Sequence, residues 1–596
     1  MKSLSYLNKY LLKYKWRLIL GVIFIIISNY FGVEMPKLVK NAVNDFLKVV
    51  ETTNEFNTVF WLSLKIAGLY MLFSFGKGFF LFLQRQMIII VSRLIEYDLK
   101  NEIYEQYQCL NFTFYKKNKT GDLMNRISED VAQVRQYLGP GLMYTFNLVV
   151  LSGMAIYAML RINVSLTLIV LIPLPIMSIL IYKVSSKMNL LSKEVQEEQS
   201  LMSTIVQETF SGIRVIKAYL REREAQLKFE NSSENFKEKS MKQLMVNALF
   251  MPTIVFLIGL SILLTIYYGG ILVYEKQITP GDIVAFIFFV NMMTWPFASV
   301  GWVTSINQRA AASQTRINEF LEIKPEIFNP TQEANGELDE IRFENVSYTY
   351  ENSNIEAIRN LSFSLKSGET LGIVGRTGSG KSSILNLLTR QIDPSSGAVL
   401  VNGKDLRTIN LDEFRSVSGV VPQDVFLFSD TIGNNIKFGV NHDNVSETDL
   451  IEVTKTAHVY HNIVEFNDGF ETLLGERGVN LSGGQKQRVS IARALIRKPK
   501  LLLLDDCLSA VDTETEDIIL KGIKANYSNN LTVIVSHRVS SLRFANKILV
   551  LENGQKVEEG SHDELLALNG IYAEMYHKQL LETDSSDSLN VEKEGI

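Results

Sequence analysis

Cysteine is almost missing from this chain. Its 596 residues include two, Cys109 and Cys507, far apart and in stretches that the charge pattern assigns to the cytoplasm. A disulfide framework or a thiolate metal site is thereby excluded, and both are expected to be buried free thiols. Net charge is nearly missing too, at −4, so nothing global points to nucleic acid. The N-terminus lacks the small-residue cleavage pattern of a secretory signal. What is plentiful is apolar material: 46% hydrophobic residues beside 21% charged ones, with a mean hydropathy of +0.09. A chain this long holds more than one domain. The mixture fits a membrane part joined to a soluble part.

Apolar runs long enough to cross a hydrocarbon core of about 30 Å recur near 18–38, 59–83, 141–160, 164–184, 248–273 and 281–303. They are too long and continuous for barrel strands, so six helices are expected in a membrane domain over 18–310. The stretches 84–140 and 185–247 are long and basic, whereas 161–163 and 274–280 are short. Positive loops stay inside. This predicts a multi-pass protein with both termini and both long loops cytoplasmic, and the lack of a transit peptide, the few cysteines and the compact loops point to the plasma (inner) membrane. Leu94, Leu99, Ile103 and Tyr107 recur at helical spacing, so the helices should extend beyond the bilayer. Residues 1–17 mix Leu4, Leu7, Leu11, Leu12 and Trp16 with five basic residues. They predict an amphipathic helix on the inner membrane face. Glu34, Lys65 and Gln84 lie near span ends and can snorkel. Lys77 is deeper and is a candidate for lining a polar pathway. The aromatics and methionines of the last two spans, among them Phe286, Phe288, Phe289, Met293 and Trp295, are expected to pack or to face lipid.

Residues 323–338, with Pro325, Pro330 and Gly336, read as a linker, and 339–577 as an α/β phosphate-loop ATPase domain. Thr370–Gly375 is a short apolar strand. The loop Gly375, Arg376, Thr377, Gly378, Ser379, Gly380, Lys381, Ser382 follows, and Ser383 continues into a helix. Its glycines let backbone N–H groups close around phosphates at a helix N-terminus. Lys381 reaches the β/γ oxygens, and the Ser382 hydroxyl can ligate Mg²⁺. Leu501–Leu504 reads as a buried parallel strand. Asp505 stands at its C-terminal end, where such sheets place ligand chemistry, and is a second metal candidate. Asp506 follows it. His537 follows the strand Leu531–Ser536 and is expected to contact the γ-phosphate. Ser482, Gly483, Gly484 and Gln485 open another helix, with Ser482 as cap and the glycines exposing backbone donors. Which phosphate this second helix end binds is not told by the residues alone. The tail, 582–596, is acidic and Ser/Asp-rich and is expected to be disordered.

These residues resemble the ABC transporter family, specifically exporter-type half-transporters with six spans fused to one ATPase domain. The resemblance covers about 15 to 577. Its most specific element is the intact LSGGQ, Leu481–Gln485. Tyr350 looks like the family's adenine-stacking aromatic, and Gln423 like its Mg²⁺-sensing and coupling glutamine. Gly475–Gly478 (GERG) looks like the exporter contact loop, and Asp512 in SAVD like the dimer-contact loop. Thr120–Val131 and Gln207–Tyr219 look like the two coupling regions. The resemblance implies ATP and Mg²⁺ as cofactors, with Ser382, Gln423 and Asp505 around the metal. It implies a dimer in which each ATP is held by the phosphate loop of one chain and by Ser482, Gly483, Gly484, Gln485 and Asp512 of the other. A hydrophobic or amphipathic substrate (drug, lipid or peptide) would be exported.

One position departs from the family. Asp506 stands where the catalytic base is glutamate, one methylene longer. A base must sit within hydrogen-bond reach of its water, and a displacement of about 1 Å can cost roughly a hundredfold in rate. The pattern is similar to the weak-site subunit of heterodimeric exporters, with a slow homodimer as the alternative. An ATP-gated regulatory or channel-like assembly is the second functional class. The retention of Gln423, His537 and both coupling patterns favours the exporter.

Overall fold

Among the described residues of the computed structural model, six helices are long and apolar enough to cross a membrane: Lys15–Val49, Phe56–Cys109, Thr120–Ile162, Val164–Ser211, Glu222–Tyr274 and Pro280–Leu321. The structure describes residues 2–52, 56–331, 333, 336–350, 353–440 and 445–591. Every predicted apolar run lies inside one of these helices, and each helix continues past it. Phe56–Cys109 has 54 residues, about 80 Å of helix at 1.5 Å per residue, well over twice a hydrocarbon core. The chain divides into two compact units, Met1–Gln108 with Lys119–Ile323, and Cys109–Asn118 with Lys324–Ile596.

In the first unit the sixth helix is central. Phe286, Phe289, Val290 and Met293 are fully buried and pack with Ala155, Leu166 and Val170. Phe288 and Trp295, pointing the other way, are exposed. The aromatics of this span therefore divide by helical face. Among the polar contacts that join helices within the apolar layer, Asn29 Nδ2 donates to Asn147 Oδ1 at 2.9 Å, Ser28 Oγ donates to the Lys77 carbonyl at 3.2 Å, and Ser261 Oγ donates to the Val170 carbonyl at 3.2 Å. Lys77 itself turns inward. A Cβ placed on Gly32 would stand 3.5 Å from Lys77 Cε and 3.5 Å from Met292 Cε.

The N-terminal segment differs from a single helix over 1–17. A 3-10 turn, Lys2–Leu7, leads into a short helix, Asn8–Lys13, and the chain then enters the first long helix. Lys9 pairs with Glu102 at 2.6 Å and Lys13 with Asp98 at 2.7 Å, while Leu7 and Tyr10 are buried. Much of its basic charge thus meets protein carboxylates, and Leu12 and Trp16 are left exposed. One expectation about the cysteines fails. Both are free and Cys507 is buried, but Cys109, the last residue of the Phe56–Cys109 helix, is exposed.

In the second unit a six-stranded sheet has the order Gln555–Gly560, Lys547–Glu552, Thr370–Gly375, Leu531–Val535, Leu501–Asp505, Ser418–Val421. All neighbours are parallel except the first pair. Both faces are covered, which is why the central strands read as unbroken apolar runs. Leu502 and Leu504 enter one core, and Leu501 and Leu503 the other, as alternation along a strand requires. A four-stranded antiparallel sheet, Ile355–Lys366, Glu340–Tyr350, Ser396–Val401 and Lys404–Asp405, completes the unit. The last helix, Ile571–Val591, runs into the stretch expected to be unstructured, and 592–596 lie outside the described residues.

Candidate active site

Four neighbouring parallel strands end on the same side, and each delivers a polar group there. The phosphate loop leaves Thr370–Gly375, His537 follows Leu531–Val535, Asp505 ends Leu501–Asp505, and Gln423 follows Ser418–Val421. This is the carboxyl edge at which open α/β sheets bind ligands. A cavity of about 520 Å³ opens over it, lined among others by Tyr350, Thr377, Gly378, Lys381, Gln423 and His537. Gly380, Ser382 and Ser383 also face it, as do Ile355, Arg359, Asn553 and Gly554.

The loop is held open by glycine. Gly380 has φ +99°, and a Cβ there would lie 2.3 Å from the Ala357 carbonyl oxygen. Gly375 is equally tight, 2.3 Å from the Leu551 carbonyl. Arg376 offers its carbonyl to Lys381, whose Nζ donates to Gly375 O at 2.8 Å and Arg376 O at 3.0 Å. Burial lowers the Lys381 pKa, and the charges of Asp506 and Asp505 oppose that shift. Ser379 is buried, and its Oγ has no protein partner. An orphaned donor inside a ring of backbone N–H groups fits a phosphate oxygen.

Tyr350 closes the far end. Its hydroxyl lies 3.1 Å from Ser383 Oγ, and Tyr348 meets its ring edge-on with centroids 4.9 Å apart. Lys116 Nζ stands 5.4 Å from the same ring. That lysine belongs to Phe112–Lys117, a short helix capped by Asn111 within Cys109–Asn118. A neighbouring cleft of about 280 Å³ is lined by Phe112, Lys116, Tyr348, Tyr350 and Ile392. This segment was not singled out from the sequence; the expected coupling region Thr120–Val131 falls in the other unit. The Asn111 cap ahead of Phe112, Phe114 and Tyr115 was the available signal.

The acids differ from one another. Ser382 Oγ donates to Asp505 Oδ1 at 3.4 Å. Burial raises the Asp505 pKa and Asp506 adds to it, while Ser382 and Lys381 act against. Among the described residues no cluster of three His, Cys, Asp or Glu could hold a metal alone. One carboxylate, one hydroxyl and an amide oxygen suit Mg²⁺ shared with phosphates. Asp506 is 8% exposed with φ +44°. Its Oδ2 accepts from Gln423 Nε2 at 3.3 Å and its Oδ1 from His537 N–H at 3.3 Å.

The LSGGQ group is not among the residues lining this cavity. Ser482 caps Gly483–Leu495 in a reciprocal box with Gln485: Gln485 N donates to Ser482 Oγ at 3.3 Å and Ser482 N to Gln485 Oε1 at 2.9 Å. Gly484 lies so near the Ala510 carbonyl that a Cβ would stand 2.9 Å from it. Asp512 caps the next helix through Thr515 N at 2.8 Å. One chain thus brings together Tyr350, the phosphate loop, Gln423, Asp505, Asp506 and His537, and keeps Ser482, Gly483, Gly484, Gln485 and Asp512 elsewhere.

Comparison with known proteins agrees with this architecture. Residues 18–297 match the ABC transporter transmembrane region family and 358–509 the ABC transporter family. The chain is 35% identical to the probable multidrug resistance ABC transporter ATP-binding/permease protein YheI of Bacillus subtilis, over 96% of each chain. It is 33% identical to the multidrug resistance-like ATP-binding protein MdlA of Escherichia coli, over 98% of each. A solved bacterial Atm1-family ABC exporter with ATP bound shares the fold, with a TM-score of 0.77 at 24% identity, covering 95% of this chain and 98% of that one. The six membrane helices, the phosphate-loop sheet and these relatives together make the chain a member of the ABC transporter family, an exporter-type half-transporter that couples ATP hydrolysis to transport.

Proposed function

We propose that this chain exports hydrophobic or amphipathic solutes from the cytoplasmic side as one half of a dimer with a different half-transporter. In that dimer its own ATP site turns over slowly, and its LSGGQ completes the partner's site. The observation that carries this reading is the engagement of Asp506. A base must offer a free carboxylate oxygen to the attacking water. Here the short side chain is drawn back to Gln423 and the His537 backbone. Lys381 is untouched by that retreat, so ATP binding and charge stabilisation persist.

The roles follow the chemistry. Tyr350 stacks on adenine, and Gly375 to Ser383 enclose the phosphates. Ser382, Gln423 and Asp505 hold Mg²⁺, which when bound neutralises phosphate charge. His537 contacts the γ-phosphate. Ser482, Gly483, Gly484, Gln485 and Asp512 act on the partner's nucleotide. The multidrug names of the two curated relatives support a drug-like substrate class.

Purified alone in lipid nanodiscs, the chain is expected to bind Mg-ATP and release phosphate slowly. Brisk turnover that Asp506→Asn abolishes would refute the weak-site reading and favour a homodimer. Stimulated turnover on adding a glutamate-bearing half-transporter, lost when Ser482→Arg is introduced here, would support the heterodimer.

A further inference from the structure

The turn after Leu531–Val535 carries His537, and every backbone group there needs a partner. His537 N–H goes to Asp506 Oδ1 at 3.3 Å, and Arg538 N–H to Ser536 Oγ at 2.9 Å. Two more of these groups go to one side chain. Gln579 Nε2 donates to His537 O at 2.7 Å, and Gln579 Oε1 accepts from Val539 N–H at 2.8 Å. A primary amide carries one donor end and one acceptor end, and this one uses both to bracket the turn.

Gln579 comes from outside the catalytic loops, on the helix Ile571–Val591. That helix is anchored independently. Glu558 accepts from Ile571 N at 2.6 Å and Tyr572 N at 3.0 Å, favourably placed at a helix N-terminus. Tyr572 is fully buried and reaches His562 Nδ1 at 2.7 Å. Gln579 lies seven residues later, two turns along and so on the same face. On its other side the turn is tied by Arg538, whose guanidinium donates to Glu516 Oε2 at 3.0 Å, Val511 O at 3.0 Å and Ser509 O at 3.2 Å.

We propose that Gln579 is a positioning residue for His537: from the C-terminal helix it fixes the turn so that the imidazole meets the γ-phosphate. The inference rests on the reading of His537 as the γ-phosphate contact. Gln579 is not among the residues that line the nucleotide cavity. Its effect is confined to what distinguishes ATP from ADP, because the phosphate loop and Tyr350 hold the shared part of both.

The test is competition binding of Mg-ATP and Mg-ADP to the full-length chain in nanodiscs, at 4 °C to limit turnover. Wild type, His537→Ala, Gln579→Ala and the double variant are compared. Both single variants are expected to lower the preference for ATP over ADP by roughly fivefold, the scale of one lost hydrogen bond. ADP affinity is expected to stay unchanged, and the double variant to be no worse than His537→Ala, because coupled residues are not additive. Gln579→Glu keeps the acceptor for Val539 but turns a carboxylate oxygen toward the His537 carbonyl. It should match Gln579→Ala and serves if the alanine variant does not fold. Equal loss of ATP and ADP affinity in Gln579→Ala, or a further fivefold loss in the double variant, overturns the proposal, as does no change while His537→Ala loses its preference. An unchanged preference in His537→Ala overturns the role given to the histidine, and this inference with it.

Discussion

Lengthening Asp506 by one methylene should raise ATP turnover. Asp506→Glu advances the carboxylate by about 1 Å, a distance worth roughly a hundredfold in rate, or about 2.7 kcal/mol. The opposing cost is the loss of two contacts, from Gln423 Nε2 and His537 N–H, both at 3.3 Å. Both exceed the usual 2.9–3.0 Å of an N–H···O bond, so each is worth at most about 1 kcal/mol. Glutamate also tolerates the left-handed backbone at φ +44° less well than aspartate. That penalty falls on folding and appears as a small drop in Tm. The balance leaves at least about 0.7 kcal/mol and predicts phosphate release up by about threefold or more, with the Mg-ATP Kd little changed. The assay is phosphate release by the full chain in nanodiscs, with Asp506→Asn as the null variant. If Asp506→Glu leaves turnover at the wild-type rate while binding and Tm hold, the retreat of the carboxylate is not what limits hydrolysis.

Gly380→Ala should abolish nucleotide binding: φ is +99° and the new methyl would meet the Ala357 carbonyl at 2.3 Å, so equilibrium binding of Mg-ATP should weaken at least tenfold. Arg493→Lys should lower the Tm of the ATPase unit. Burial pushes this guanidinium down to about 10, and it donates to Asn435 O at 2.7 Å, Phe426 O at 2.8 Å and Asn435 Oδ1 at 2.9 Å. A lysine cannot reproduce that fork, and the orphaned acceptors cost about 2 kcal/mol. Acidification should destabilise the unit through His458, whose pKa is lowered from 6.5 by burial and then by His461 and Arg488. A lowered imidazole binds its proton later when folded than when unfolded, so its contribution is complete above 6.5 and is lost as pH falls through and below that value. His458→Asn, an exchange suited to φ +51°, should flatten the difference in Tm between pH 7.5 and 5.5 relative to wild type.

Much of the architecture was legible because the physics is local. A membrane helix announces itself by an apolar run, and the phosphate loop by glycines between a strand and a helix. The grouping of Asp505 and His537 could be argued because each stands at the end of a strand read as part of one sheet, whereas Gln423 was reached only through the family resemblance. What could not be read depends on long-range pairing. Phe112–Lys117 has six residues, too few for a periodic signal, and it shares a cleft with Tyr348, Tyr350 and Ile392, far away in sequence. The contacts of Asp506 depend on Gln423, separated from it by 83 residues. Exposure of Cys109 was misjudged because its residue type predicts burial, whereas its position at a helix end decides against it. Paired lysines at the N-terminus look like a membrane-surface signal until Asp98 and Glu102 come within reach.

The chain passes between its two compact units at 108/109, 118/119 and 323/324. A soluble fragment beginning at Lys324 would therefore be an amputated ATPase rather than a domain cut at its hinge. It would lack the ten residues Cys109–Asn118 and with them the Phe112 and Lys116 wall beside Tyr350. If Tyr350 stacks on adenine as proposed, adenine affinity measured on such a fragment describes a ring stripped of its neighbour. Supplying Cys109–Asn118 as a free peptide, or grafting it ahead of Lys324, is the way to make the fragment whole.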